Sequence, residues 1–244
     1  MTVVEDGRVL YEFVLTSGCR DVLELGFAHG TSTCYLAAAL DERADGHITS
    51  IDNQSARNRR PSLPEQLHRL GLESRSTAIY ARTSYDWELM KLIEEATHET
   101  GVCVPRFDFC FIDGAHRWEP DGLAFFLVDK LLKPDGWLLF DDLPWTLDTS
   151  TSEKVRAAAK SLPVEERTTP HIERVMTLLV RQHPGYDHIS VRDRWGWAHK
   201  RATDSDPASA VETLTSTYDE RAISQDIRAL VRKVRHRIQA SSPQ

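Results

Sequence analysis

The chain has 244 residues, 41% hydrophobic and 27% charged, with a formal net charge of −7. This suits one large α/β domain, alone or with an appendage, and the acidic balance argues against a general nucleic-acid-binding surface. No run of ~18 apolar residues can span a bilayer, and Met1-Thr-Val-Val-Glu-Asp6 has no basic region followed by an apolar core, so a cytoplasmic protein is expected.

Taken in order, Val9, Leu10, Phe13 and Val14 fall at helical spacing and predict a short helix over 7–18, stopped by Gly18. A strand follows over 21–25, then a glycine turn and a helix over about 31–41. The Asp45-Gly46 turn leads to a second strand, 47–51, which ends at Asp52. Residues 53–72 are basic and polar, with Pro61 and Pro64, and read as a loop entering a helix over 65–70. A weak third strand at 77–80 precedes a helix ending near 97. The segment 107–112 is almost continuously apolar, as a central parallel strand should be. A helix over about 121–132 stops at the turn Lys133-Pro-Asp-Gly136, and a fifth strand covers 137–140. Strands alternating with helices at this rhythm imply a doubly wound, mostly parallel sheet of Rossmann-like α/β class.

Beyond Asp142 the rhythm breaks. Residues 143–170 read as an inserted loop with one short helix over about 152–161, and helical spacing returns over 172–181. Two short strands, 187–191 and 195–200, bring the total to seven. They suit an antiparallel ending to the sheet, although a hairpin packed elsewhere would look the same. Residues 201–220 resemble a polar linker. The last segment puts Ile223, Ile227, Leu230, Val231, Val234 and Ile238 on one helical face and Arg228, Arg232, Lys233, Arg235 and Arg237 on the other. Such a helix binds membranes or acidic partners, or packs on its own domain or a second subunit; packing is the preferred reading, and packing on a second subunit would make a homo-oligomer. The expected division is a domain over 1–200 and a linker and basic helix over 201–244. Four cysteines, at 19, 34, 103 and 110, lack CxxC spacing and are expected to be structural thiols.

The stretch Glu24-Leu-Gly-Phe-Ala-His-Gly-Thr-Ser32 carries the first functional information. Strand, glycine turn and helix let a ligand approach bare backbone at the carboxyl end of a central strand. Gly26 and Gly30 lie four apart with no third glycine at dinucleotide spacing, which removes most of the case for a pyrophosphate. Glu24 would meet a cationic or hydroxyl-bearing ligand better than a phosphate. Asp52, at the end of the neighbouring strand, is placed to accept both hydroxyls of a ribose. Together these point to S-adenosylmethionine rather than NAD. His29, in the same turn, is expected to be a wall residue.

Two further strand ends open on the same edge. Ile112-Asp-Gly-Ala-His116 and Phe140-Asp-Asp142 bring Asp113, Asp141 and Asp142 beside the expected cofactor pocket. Three carboxylates in a small space repel one another unless a cation sits among them, and an oxygen donor set suits Mg2+. Acidic residues at strand ends also cap following helices. His116, three residues after Asp113, can serve as general base, or merely close a hydrogen bond. Trp145, Trp195 and Trp197 can line an acceptor pocket, but core packing is the first expectation for each.

These motifs resemble the class I S-adenosylmethionine-dependent methyltransferases over residues 20–142. The closer resemblance is to the magnesium-dependent, catechol O-methyltransferase-like group and the small O-methyltransferases of antibiotic and sugar tailoring; Trp195-Gly-Trp-Ala-His-Lys200 is similar to the tailoring enzymes. The resemblance implies that Glu24, Gly26 and Ser32, with Phe27 and Gly30 of the same turn, surround the methionine end of the cofactor, that Asp52 holds its ribose, and that Ser84 and Tyr85 meet its adenine. It places Asp113, Asp141 and Asp142 as metal ligands and Asp113 and His116 in the catalytic centre. Two positions depart from the catechol enzymes: Asp142 stands where they have asparagine, and His116 where they have a catalytic lysine. Both departures favour a sugar or natural-product hydroxyl as acceptor. A nicotinamide-dependent oxidoreductase and a non-catalytic cofactor-binding scaffold working through the basic helix are the alternatives.

Overall fold

A computed structural model describes residues 4–202, and the linker and basic helix expected beyond them lie outside the described residues. Helix α1 (Val4–Ser17) precedes β1 (Asp21–Leu25), α2 (Thr31–Glu42) and β2 (His47–Asn53). Then come α3 (Leu63–Leu70), β3 (Ser76–Ala81), α4 (Tyr85–Ala96), β4 (Phe107–Ile112), α5 (Trp118–Leu131) and β5 (Leu132–Phe140). Short helices α6 (Glu153–Ala159), α7 (Val164–Thr168) and α8 (His171–Arg174) lead to the terminal strands β6 (Tyr186–Arg192) and β7 (Trp195–Lys200).

The seven strands form one sheet in the order β3-β2-β1-β4-β5-β7-β6. β1 to β5 pair in parallel, while β7 runs antiparallel between β5 and β6. The expected hairpin is therefore the sheet's own antiparallel ending. Because successive strand residues point to opposite faces, the sheet builds two cores. Val22, Phe109, Phe111 and Leu139 pack with Leu10, Val14, Leu36 and Leu63 of α1 to α3. Leu23, Cys110, Ile112 and Leu138 pack with Leu89, Phe125, Val128 and Val175 on the other side.

Three local expectations change. Lys133-Pro-Asp-Gly136 does not separate helix from strand. It is a bulge within β5, where Phe107 pairs with Leu132 and Phe109 with Trp137, and Asp135 takes φ +62°. The helix expected over 172–181 is one α-turn continued by a wider π-turn over Val175–Val180. A further short helix, α7, occupies the segment read as loop. Among the described residues no helix is long and apolar enough to cross a membrane, and all four cysteines are free.

Candidate active site

β1 ends in a turn that only glycine can make. Gly26 has φ +88°, and a Cβ there would lie 1.9 Å from the carbonyl oxygen of Asp113. The close approach follows from the parallel ladder, which continues past the strand ends: the Gly26 amide donates to Ile51 O at 2.8 Å and the Asp113 amide to Leu25 O at 2.8 Å. Gly30, also at φ +88°, packs against Leu63 at the start of α2.

Glu24 sits directly behind this turn. It is completely buried and accepts from the hydroxyls of Ser32 and Thr33, so it ties β1 to the first turn of α2. Burial pushes its carboxyl up to about 7, against the lowering effect of the hydroxyls. Asp52, at the end of β2, braces the turn from the other side: Oδ2 accepts from the amides of Phe27 at 3.0 Å and Ala28 at 2.6 Å.

In front of the turn lies a cleft of about 640 Å³ at the carboxyl edge of the sheet. Of the residues expected around a cofactor, Gly26, Phe27, Ser32, Asp52, Ser84, Tyr85 and Asp113 line it, whereas Glu24 and Gly30 do not. Ser84 caps α4 by accepting from the Trp87 amide at 3.3 Å. The Tyr85 hydroxyl donates to Asp121 Oδ1 at 2.7 Å, and Asp121 Oδ2 accepts from the Arg117 amide at 2.8 Å. Together Tyr85 and the buried Asp121 fix the loop from Asp113 to Arg117 that forms one wall.

The charged cluster divides into two halves. His116 Nε2 lies 3.2 Å from Asp113 Oδ1 and 3.4 Å from Asp142 Oδ2, and these three side chains share the cleft wall. Their ligand atoms all lie within 4.8 Å of one another. Burial lowers the imidazole's proton affinity, but the hydrogen bond it donates to Asp113 and the charges of Asp113 and Asp142 outweigh it and hold His116 above the ordinary histidine value. His116 and Asp142 both take left-handed backbone, φ +55° and +57°, a conformation that costs residues other than glycine some strain.

Asp141 is kept apart from this group. Only 3% exposed, its Oδ1 accepts from Trp195 Nε1 at 2.8 Å and from the Asp142 amide at 2.7 Å, and Arg194 Nη2 reaches Oδ2 at 3.1 Å. Burial, followed by the charges of Asp113 and Asp142, raises its carboxyl. The same guanidinium donates through Nη1 to Asp142 Oδ1 at 2.8 Å and through Nη2 to Asp6 Oδ2 at 2.9 Å. Arg194 thus joins α1, the end of β5 and the β6–β7 turn. Sequence reading missed it because an arginine in Arg192-Asp-Arg194 looks like an ordinary solvated turn residue.

Trp195 and Trp197 are core, 6% and 7% exposed, as first expected. Trp145 is half-buried and its ring lies 5.2 Å from that of His116, so it covers the imidazole. His29 is a cleft wall residue. Arg59, Pro120 and Thr151 also line the cleft, and nothing in their local sequence distinguishes them from loop residues.

Residues 23–143 match the family model described as a methyltransferase domain. No curated protein matches the chain. Among solved structures, the chain is similar to the O-methyltransferase TomG of Streptomyces achromogenes, involved in tomaymycin synthesis and bound to S-adenosylmethionine, at 18% identity and TM-score 0.58 over 83% of this chain and 82% of that one. It is also similar to the O-methyltransferase of Bacillus cereus in complex with S-adenosylhomocysteine, at 20% identity and TM-score 0.57 over 82% and 83% of the two chains. A third, the S-adenosylhomocysteine-bound methyltransferase of Podospora anserina, has 17% identity and TM-score 0.60 over 84% and 80%.

Proposed function

We propose that the chain, whose residues 23–143 match a methyltransferase domain and whose fold is that of the O-methyltransferases, is a class I S-adenosylmethionine-dependent enzyme that methylates a hydroxyl of a small molecule, a sugar or natural-product intermediate. The observation that carries this reading is the meeting of Asp113, His116 and Asp142 on the wall of the cleft that begins at the glycine turn. An oxygen nucleophile needs its proton removed as it attacks, and His116 is a base with two carboxylates to stabilise the imidazolium that results. The histidine at this position and the use of the TomG enzyme in tomaymycin synthesis favour a tailoring substrate over a catechol.

In this reading the Gly26 turn, Ser84 and Tyr85 orient the cofactor, whose sulfonium supplies the methyl group, and Asp52 faces its ribose. The acceptor hydroxyl lies against the His116 ring, whose Nε2 is held by Asp113 and Asp142 and whose other nitrogen takes the proton while the oxygen attacks in line with the breaking carbon–sulfur bond. Trp145, lying over His116, excludes water from the base.

The donor set also fits a divalent ion, since its ligand atoms already lie within 4.8 Å of one another. Asp113 and Asp142 would supply the hard oxygens that magnesium prefers, and when bound such an ion polarises the acceptor oxygen and lowers its pKa. Asp141 has both oxygens engaged by protein donors, so the proposed ligand pair is Asp113 and Asp142, with Asp141 holding Asp142 in place. The test is incubation with S-adenosylmethionine and a panel of hydroxylated sugars and polyketide intermediates, followed by mass spectrometry. A product carrying one added methyl on oxygen is expected, lost in excess chelator and restored by Mg2+. Full activity in chelator overturns the metal, and methylation of nitrogen or carbon alone overturns the acceptor class.

A further inference from the structure

At the opposite end of the terminal hairpin from Arg194, a second group of metal-binding side chains lies outside the cleft. Asp187 on β6 and His199 on β7 are register partners, and His199 Nδ1 lies 2.8 Å from Asp187 Oδ1. In a regular strand the next residue, His188, would point to the other face of the sheet. It does not, because β6 carries one extra residue there: Asp187 pairs with His199 and Ser190 with Trp197, so His188 and Ile189 stand opposite Ala198 alone. His188 takes φ +45° in this bulge. As a result its ring comes within 5.6 Å of the His199 ring, and its Nε2 lies 3.9 Å from Asp187 Oδ1.

We propose that Asp187, His188 and His199 form a binding site for a transition-metal ion of the zinc(II) class, which pins edge strand β6 to β7. Two imidazoles and one carboxylate are a donor set for Zn2+ and its neighbours, and a poor one for Mg2+ or Ca2+. A tetrahedral ion with bonds of about 2.0–2.2 Å holds its ligand atoms about 3.3–3.6 Å apart. The observed separations of 2.8 and 3.9 Å bracket that range, so small side-chain rotations complete the site.

The surroundings have what a ligated imidazole needs. With Nδ1 facing the ion, Nε2 of His199 points toward Asp135 Oδ1 at 3.8 Å, on the bulge of β5. A carboxylate on the far nitrogen orients a metal-binding histidine and makes it more basic. The indole of Trp137, 4.8 Å from the His199 ring, screens the inner side. His188 is 73% exposed and provides the entry path. Arg201 Nε, 3.5 Å from Asp187 Oδ2, holds the outer oxygen and leaves Oδ1 for the ion.

The experiment is titration of the chelator-stripped full chain with Zn2+ by calorimetry and with Co2+ by visible ligand-field absorption, together with the melting temperature. Wild type and Asp142→Asn should each bind Zn2+ at the hairpin and melt at a higher temperature with it. His188→Ala, whose exposed side chain supports no core, should keep the metal-free melting temperature but lose one equivalent, or at least 10-fold in affinity, along with the Zn2+-induced rise. Asp135→Asn should weaken binding about 10-fold. Unchanged Zn2+ affinity and stabilisation in His188→Ala overturn the site, as does binding that disappears only in Asp142→Asn, since the ion would then sit in the cleft.

Discussion

A buried glutamate and a turn glycine show how single residues here answer to backbone geometry. The Glu24 carboxyl rises from 4.5 to about 7, because burial disfavours the charge. The native state therefore retains a proton that the unfolded chain releases above about pH 4.5, so this group's contribution to stability is full below that pH and fades as pH rises toward 7. The full difference is worth about 3 kcal/mol. The hydroxyls of Ser32 and Thr33 donate to different oxygens of Glu24, so Glu24→Gln keeps one acceptor and turns its amide NH2 to the other hydroxyl, which accepts instead. It should flatten the stability profile between pH 5 and 8, measured by urea denaturation, and leave the variant at least as stable as wild type at pH 8. Gly26→Ala is the harsher change. Its Cβ would clash with backbone rather than with a movable side chain, at a φ few non-glycine residues adopt. A loss of more than about 3 kcal/mol, or of S-adenosylhomocysteine binding with the fold retained, is expected by denaturation and calorimetry.

Between elements, Arg194 is the main tie. Its fork meets Asp6 of α1 and both carboxylates at the end of β5, and no single ammonium can span all three. Arg194→Ala leaves Asp141 buried beside two like charges and frees Asp142 from its strained conformation. We expect about 3 kcal/mol of lost stability and a turnover drop of at least 10-fold, with Arg194→Lys recovering only part of either. Chemical denaturation and initial rates report the two quantities separately. Helix α3 shows a smaller device of the same kind: Ser62 and Glu65 form a capping box, and the helix carries Leu63 against Gly30. Ser62→Ala should cost about 1 kcal/mol, read as a lowered urea midpoint with an unchanged slope. Sequence reading placed α3 two residues late because Pro64 looks like a loop residue, although proline is well tolerated in a helix's first turn. It also took Lys133-Pro-Asp-Gly136 for a turn, because a bulge uses the same residues as a chain reversal.

For the molecule as a whole, both faces of the sheet are covered and the carboxyl edge of the parallel strands is left open, as ligand sites in open α/β sheets require. S-adenosylhomocysteine should therefore raise the melting temperature with saturation, while NAD should not; a rise with NAD alone would contradict the cofactor assignment. The sequence by itself determined the succession of strands and helices along the chain, the parallel body of the sheet, the glycine turn and the set of acidic strand ends. These depend on periodicity and spacing, which are local and survive without knowledge of what lies opposite. Only the tertiary structure decided which acid does what. Asp141 and Asp142 are neighbours in the chain, yet the first is drawn inward by Trp195 and Arg194 and the second faces His116. Arg194 and Trp195 arrive from more than fifty residues away, by 52 positions in the case of Arg194 and Asp142. The same holds for Glu24 and for His188, whose roles depend on burial depth and on one extra residue in a ladder, quantities that exist only once the strands have paired.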